Sequence, residues 1–203
     1  MNTSREIIHM ATRRVREGSG SYRPSTANAA WLQSIPDLKT LFSHIPFVII
    51  GGLATRLYMP ERMTFDVDVL IRSDDAQAAA NYLRAFGATR SGELSIGGET
   101  WTLPGGRQID LIYSDAQWIS EALSQPCMGP DGQPYIQLPW LVLLKLSASR
   151  TQDLADCSRM LGEASEDVLE QVLDAVRVHQ PADLEDVLRL IKLGKLEKKD
   201  SQE

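Results

Sequence analysis

The chain has 203 residues, of which 24% are charged, and a formal net charge of −6 at pH 7. This length suits one domain with a sizeable core, or one α/β domain followed by a small helical subdomain. The acidic balance excludes nucleic-acid binding through overall charge, so such binding would require a local basic patch. Two cysteines, Cys127 and Cys157, lie far apart in the sequence and do not resemble a zinc site or a disulfide framework, and no apolar run is long enough to span a membrane. We therefore expect a cytoplasmic protein without membrane contact.

The first two thirds of the chain are predicted to alternate between helix and strand. Residues 1–25 are rich in arginine and favour a basic helix or arm, either solvated or in contact with RNA. Residues 26–138 carry short apolar runs separated by glycine and proline, which is typical of an α/β domain. Their patterns predict, in order, a helix over 31–44, a strand over 47–50, a helix over 53–59, a strand over 64–71, a helix that stops at Gly87, a hairpin of strands over 94–103 and 108–113, a helix over 116–123 and a loop over 126–134.

The last third of the chain is predicted to be helical. Residues 140–146 are apolar on nearly every side, which is typical of a buried helix. Three further stretches have helical periodicity and are joined by polar residues: 151–161, 165–178 and 182–193. The sequence therefore predicts an α/β core with a mixed sheet, followed by a helical C-terminal subdomain over 139–194 and a charged tail over 195–203.

Two aspartates, Asp66 and Asp68, lie one residue apart inside an apolar run. Alternate side chains of a strand share a face, so both carboxylates would project together. The residues between and beside them, Phe65, Val67 and Val69, would then turn to the core. Two carboxylates held side by side repel each other unless they are protonated or bridged by a cation. Oxygen ligands at this spacing suit Mg²⁺ or Mn²⁺ carrying a phosphate group, so the sequence predicts a divalent-metal site here.

A glycine pair and a third aspartate are placed to complete such a site. Gly51 and Gly52 follow a predicted strand, and glycines there let backbone N–H groups approach an anion, for which we expect a triphosphate. Asp110 follows a Pro-Gly-Gly turn in an apolar strand. If this strand pairs beside the strand of Asp66 and Asp68, three carboxylates converge and can hold two metal ions.

The Gly-Gly turn, the Asp-x-Asp strand and the later strand aspartate resemble the pattern of the nucleotidyltransferase superfamily, which has the DNA polymerase β type of palm. The resemblance implies a mixed-sheet nucleotidyltransferase core that moves a nucleoside monophosphate from an NTP to an acceptor hydroxyl and releases pyrophosphate. Asp66 and Asp68 would bind the metal ions, and Gly51 and Gly52 would hold the triphosphate. Asp110 would ligate the catalytic metal ion and help to deprotonate the acceptor.

The residues just before the carboxylates resemble those of one part of the superfamily, its minimal and toxin-like members. Arg62 and Thr64 begin an Arg-x-Thr-x-Asp-x-Asp run, which is frequent in minimal and toxin-like members of the superfamily. Thr64 lies two residues before Asp66 and so faces the same way, where its hydroxyl could meet a phosphate oxygen. Arg62 could bind the same phosphates by charge; the alternative is an exposed loop residue.

A lysine in the apolar helix extends the resemblance to the helical subdomain. Lys145 would be costly there unless its ammonium group reached water or an anion. With Arg150, Asp153 and Asp156 it resembles the Lys-x-x-Ala-x-Arg-x-x-Asp-x-x-Asp signature of the AbiEii-like group, which includes toxins of type IV toxin–antitoxin pairs. The resemblance implies that Lys145 faces the nucleotide phosphates and that Asp153 helps to shape the nucleotide or acceptor pocket. The alternative is that the acidic residues brace the helix junction.

The resemblance thus implies a nucleotidyltransferase of the AbiEii-like toxin type that depends on Mg²⁺ or Mn²⁺, acts on tRNA or another RNA, and has a cognate antitoxin protein. The basic N-terminal residues favour an RNA acceptor, whereas the net charge favours a small acceptor, such as an aminoglycoside or a lincosamide. Two other functions stay open: a non-catalytic nucleotide-binding partner subunit and, more weakly, a metal-dependent phosphohydrolase that uses the same acids.

Overall fold

A computed structural model describes residues 36–60, 62, 64 and 66–198 of the chain. These residues fall into two compact units. One holds Arg62–Gln137 together with the described residues up to Leu57, and the other holds the described residues from Leu138 onward with the short segment that starts at Tyr58. The basic arm predicted over 1–25 lies outside the described residues, and the predicted domain limits stay predictions.

The first unit is built on a mixed sheet. The strands of its described residues are β1 Val48–Ile49, β2 Val67–Arg72, β3 Thr89–Glu93, β4 Gly98–Thr102, β5 Gln108–Ser114, β6 Cys127–Met128 and β7 Pro134–Tyr135. They form one sheet in the order β3-β4-β5-β2-β1-β7-β6. Because β2 pairs in parallel with β5 and antiparallel with β1, the sheet combines both kinds of pairing, as the sequence predicts.

Four α-helices accompany these strands within the described residues: α1 Leu38–Leu41, which precedes β1, and three that connect strands, α2 Gly51–Tyr58, α3 Ala76–Ala85 and α4 Ile119–Ser124. The helix predicted over 31–44 is much shorter in its described part. It begins after Asp37, whose carboxylate accepts a hydrogen bond from the Thr40 backbone N–H, and it ends at Leu41. Residues 31–35 lie outside the described part of the chain. Helix α2 begins at Gly51, two residues earlier than predicted, so the glycine pair forms its first two residues.

Several strand limits differ from prediction because local patterns do not mark them. Strand β3 is exposed at four of its five residues and therefore lacks apolar alternation. Strands β6 and β7 have two residues each; β6 lies inside the segment predicted as a loop, and β7 begins at the last residue of that segment. Strand β2 begins at Val67, so Asp66 lies just ahead of the strand rather than within it.

The centre of the sheet is buried on both faces. Val69, Leu70 and Ile71 of β2 are fully buried, although neighbouring residues of a strand point to opposite faces. Strands covered on both faces carry nearly continuous apolar runs. A carboxylate in this run, that of Asp68, therefore indicates a role other than packing.

The second unit is helical. Its described helices are α5 Leu138–Ala148, α6 Thr151–Glu163, α7 Glu166–His179 and α8 Leu184–Lys198. Helix α5 is buried on nearly every side, which confirms its prediction. Helices α6 and α8 pack closely at two glycines, where a Cβ on Gly194 would lie 1.9 Å from the carbonyl oxygen of Ser158. None of the helices in the described ranges combines the length and the apolar composition that crossing a bilayer requires.

Candidate active site

The sheet register brings together two of the three predicted metal ligands. In the parallel pair of β2 and β5, Asp68 is the direct partner of Asp110. Neighbouring strands lie about 4.8 Å apart, and directly paired residues point to the same face of a sheet. Both aspartates are half-buried. Two carboxylates that are far apart in the chain are therefore neighbours on one face of the sheet.

The glycine pair lies beside Asp68 because β1 runs antiparallel to β2. The carboxyl end of β1 then lies beside the amino end of β2, and the backbone N–H of Ile50 donates to the Asp68 carbonyl oxygen at 2.9 Å. Gly51, the next residue, has a φ of +62°. A Cβ on Gly51 would lie 1.8 Å from Oδ2 of Asp68, so only glycine leaves room for this carboxylate.

The second glycine makes a similar close contact with the segment before β2. A Cβ on Gly52 would lie 2.7 Å from Oγ1 of Thr64. The same hydroxyl oxygen accepts a hydrogen bond from the Asp66 backbone N–H at 3.3 Å. Asp66 is exposed and lies ahead of β2, so strand alternation does not set the direction of its side chain, and Arg62 is half-buried in the same segment. The metal- and nucleotide-binding roles of these residues stay predictions.

The sequence analysis missed one residue at this position, Thr100. It lies on β4 and is the direct antiparallel partner of Asp110. Its hydroxyl donates a hydrogen bond of 2.7 Å to Oδ1 of Asp110. The alternation of threonine with Glu99 and Trp101 marks a strand, but no local signal indicates which residue of another strand the hydroxyl contacts.

The carboxylate pair suits a hard divalent cation by its donor chemistry. The facing side chains of Asp68 and Asp110 offer only oxygen atoms, which Mg²⁺ and Mn²⁺ prefer. Mg²⁺ is usually held by one or two carboxylates, with water and substrate phosphates completing its shell. Within the described ranges, no group of three or more histidine, cysteine, aspartate or glutamate side chains is placed to hold a metal ion. A cation held by the pair Asp68 and Asp110 would therefore take its other ligands from water or from a phosphate group.

Helix α2 adds an anion-binding element to the carboxylate pair. Its first residues are Gly51 and Gly52, and the first N–H groups of an α-helix have no acceptor within the helix. The helix dipole also favours negative charge at this end. The arrangement can therefore attract a cation at the carboxylates and phosphate oxygens at the helix N-terminus.

Lys145 and Asp153 form a buried charged cluster inside the helical unit. The Lys145 ammonium donates to Oδ1 of Asp153 at 3.2 Å and to Oδ2 of Asp156 at 2.7 Å. Arg150 contacts Oδ2 of Asp153 through Nε at 2.6 Å, and Gln152 donates to Oδ1 of Asp156 at 2.8 Å. Lys145 is only 6% exposed, so the anions that its burial requires are these two carboxylates.

The surroundings of Asp153 favour its charged form. Burial by itself raises the pKa of this carboxyl. The hydrogen bond from Arg150 and the positive charges of Lys145 and Arg150 outweigh burial and hold the pKa of Asp153 below its ordinary value. The cluster therefore contains a carboxylate that is stabilised by its partners in the folded protein.

No family model matches this chain, and no curated protein sequence matches it. Several solved structures are similar to it. The antibiotic-resistance factor ANT(2'')-Ia in solution is 13% identical with a TM-score of 0.41, over 92% of this chain and 90% of that chain. The CCA-adding enzyme with CTP is 14% identical with a TM-score of 0.36, over 80% of this chain and 50% of that chain. The Megavirus polyadenylate synthase is 12% identical with a TM-score of 0.36, over 93% of this chain and 39% of that chain. Similarity at these scores does not decide what this chain binds or transfers.

Proposed function

We propose that this chain is a nucleotidyltransferase that moves a nucleoside monophosphate from an NTP to an acceptor hydroxyl and depends on Mg²⁺ or Mn²⁺. One observation carries the proposal. Asp68 and Asp110 are paired on neighbouring parallel strands, and the Asp68 carboxylate lies against the first residue of α2. A carboxylate pair beside a helix N-terminus joins a cation site to an anion site, which is the combination that a metal-bound triphosphate requires.

The roles of the side chains follow from this combination. Asp68 and Asp110 would hold a divalent metal ion, which when bound neutralises charge on the triphosphate, and the Asp-x-Asp motif supports Asp66 as a further ligand. Asp110 accepts the proton of the acceptor hydroxyl as the acceptor oxygen forms its bond to the α-phosphorus. The bond from the α-phosphorus to the bridging oxygen breaks at the same time, and pyrophosphate leaves. No covalent enzyme intermediate is needed, because positioning and charge neutralisation lower the barrier.

The triphosphate is held by the residues around the start of α2. The N–H groups of Gly51 and Gly52 and the hydroxyl of Thr64 supply hydrogen bonds, and Arg62 supplies positive charge. The nucleotide-binding role of Lys145 and Asp153 stays a prediction from the AbiEii-like signature alone, because in the folded chain their charged groups pair with each other.

For the acceptor, we propose tRNA or another RNA, as in an AbiEii-like toxin with a cognate antitoxin. The motif order and the arginine-rich N-terminal residues support this choice. The alternative is a small-molecule acceptor such as an aminoglycoside, which the net charge of −6 supports.

The test is a transfer assay with purified protein, each α-³²P NTP, Mg²⁺ or Mn²⁺, and either total RNA or a panel of aminoglycosides and lincosamides. Asp68→Asn removes one carboxylate of the facing pair and should abolish transfer while the protein stays folded. Asp74→Asn is the matched control, because its side chain is 85% exposed and lies beyond the far end of β2. This control should transfer at the wild-type rate.

Each outcome of the assay decides one part of the proposal. Label in a tRNA-sized band that is lost only in Asp68→Asn would support the RNA acceptor and identify the base. Label in an antibiotic would replace RNA with the small-molecule acceptor. NTP binding by calorimetry without transfer to any acceptor would favour a nucleotide-binding partner subunit. Equal transfer by Asp68→Asn and wild type would refute the proposed mechanism.

A further inference from the structure

Three side chains form a row across the centre of the sheet. Thr100 on β4 is paired with Asp110 on β5, and Asp110 is paired with Asp68 on β2. Directly paired residues share a face, so the threonine hydroxyl and both carboxylates lie on the same side of three consecutive strands. The row places a neutral donor beside the acidic pair and on the side of Asp110 away from Asp68.

The hydroxyl of Thr100 engages only one oxygen of Asp110. Its Oγ1 lies 2.7 Å from Oδ1, an ordinary distance for a hydrogen bond that a hydroxyl donates. No other residue in the described part of the chain donates a hydrogen bond to this carboxylate. An ionised carboxylate is an acceptor only, so the proton of this bond belongs to the threonine. The second oxygen, Oδ2, keeps its lone pairs for a ligand.

Thr100 is itself held rigidly. Its neighbour Trp101 is fully buried on the other face of the sheet and donates a hydrogen bond to Glu99 at 3.1 Å. The hydroxyl of Ser91 on β3 donates to the Thr100 carbonyl oxygen at 3.2 Å. Threonine is also β-branched, which restricts rotation about its Cα–Cβ bond. A donor with restricted rotation on a strand that is paired on both sides is suited to hold the orientation of a neighbouring carboxylate.

We propose that Thr100 is the positioning residue of Asp110. By holding Oδ1, it fixes the orientation of the carboxylate so that Oδ2 would face the position of the divalent cation and of the acceptor hydroxyl. This inference rests on the proposed function for the proton transfer, whereas its effect on cation binding can be measured without any acceptor. Thr100 does not touch the reacting atoms in this scheme and acts only through Asp110.

The experiment compares three variants. Thr100→Val keeps the shape and strand preference of the side chain but removes the hydroxyl, and Thr100→Ser keeps the hydroxyl. Thr102→Val is the matched control, since Thr102 lies two residues along the same strand, on the same face, and is paired with Gln108. Mn²⁺ binding is measured by electron paramagnetic resonance without nucleotide, and kcat, KM for NTP and the half-saturating Mg²⁺ concentration are measured in the transfer assay.

Loss of a residue that orients a metal ligand reduces metal affinity or activity about 10- to 100-fold. We expect a loss of this size in Mn²⁺ affinity and kcat for Thr100→Val, an unchanged KM for NTP, and near wild-type values for Thr100→Ser and Thr102→Val. If Thr100→Val does not fold, Thr100→Ala removes the same hydroxyl and takes its place. Mn²⁺ affinity and kcat within twofold of wild type would overturn the inference.

Failure of the inference and failure of the proposed function give different results. Wild-type protein that binds Mn²⁺ but transfers no nucleotide would overturn the proposed function, and a weaker Mn²⁺ affinity of Thr100→Val would still support the positioning of Asp110. Wild-type protein that neither binds Mn²⁺ nor transfers nucleotide would overturn both.

Discussion

Replacement of Gly51 by alanine tests whether the contact between α2 and the Asp68 carboxylate creates the site. Gly51 has a φ of +62°, and alanine at such a backbone angle costs about 1–2 kcal/mol of stability. The new Cβ would lie 1.8 Å from Oδ2 of Asp68, whereas real Cβ atoms essentially never come closer than 3.0 Å to such an atom. The carboxylate or the start of α2 must therefore move by more than about 1 Å.

A displacement of this size has a predictable effect on rate. Misplacing a catalytic group by about 1 Å costs about 100-fold in activity, which corresponds to about 2.7 kcal/mol of transition-state stabilisation. We therefore expect kcat/KM of Gly51→Ala to fall by at least this factor. The assay is radiolabelled nucleotide transfer, combined with denaturant unfolding of the same preparation to show that the variant is folded.

Gly132→Ala is the matched control for backbone strain. Gly132 has a similar φ of +72°, but a Cβ there would meet no atom within 4 Å. It should lose about 1–2 kcal/mol of stability and keep wild-type activity. If Gly51→Ala loses no more activity than Gly132→Ala, the Asp68 carboxylate does not need its observed position, and the reasoning is refuted.

Two further predictions concern the buried charges of the helical unit. Lys145→Met should lower the free energy of unfolding by about 3–5 kcal/mol, because it leaves two buried carboxylates with one fewer partner. The control Lys195→Met removes a lysine that is 43% exposed and paired with Glu166, and it should cost less than about 1 kcal/mol. If denaturant unfolding shows equal losses of stability for Lys145→Met and Lys195→Met, the prediction is contradicted. Because the pKa of Asp153 is lowered by folding, its contribution to stability is present above the unfolded value of about 3.9 and is lost as the pH falls through the lower folded value. Unfolding free energies measured from about pH 6 to pH 3 should therefore fall more steeply for wild type than for Asp153→Asn, and parallel curves would rule this out.

Much of the site could be predicted because its signals are local. A glycine pair after an apolar strand and two aspartates in an apolar run are unusual within a few residues of sequence, since glycine and aspartate both disfavour strands. The buried helix α5 is likewise evident from an apolar run that a solvated helix would not carry. The exposed strand β3 and the two-residue strands β6 and β7 carry no such local signal, so they could not be predicted from the sequence.

By itself the sequence determined which residues carry unusual chemistry, because composition and spacing are properties of short segments. Only the tertiary structure decided which of them meet. The pairing of Asp68 with Asp110 depends on strand order and register, which are set by the packing of the whole sheet and not by either strand alone. The same holds for the hydroxyl of Thr100, whose sequence neighbours indicate a strand but not its partner. For Lys145, the apolar helix indicated that an anion is required, and the packing of α6 against α5 decided that Asp153 and Asp156 supply it.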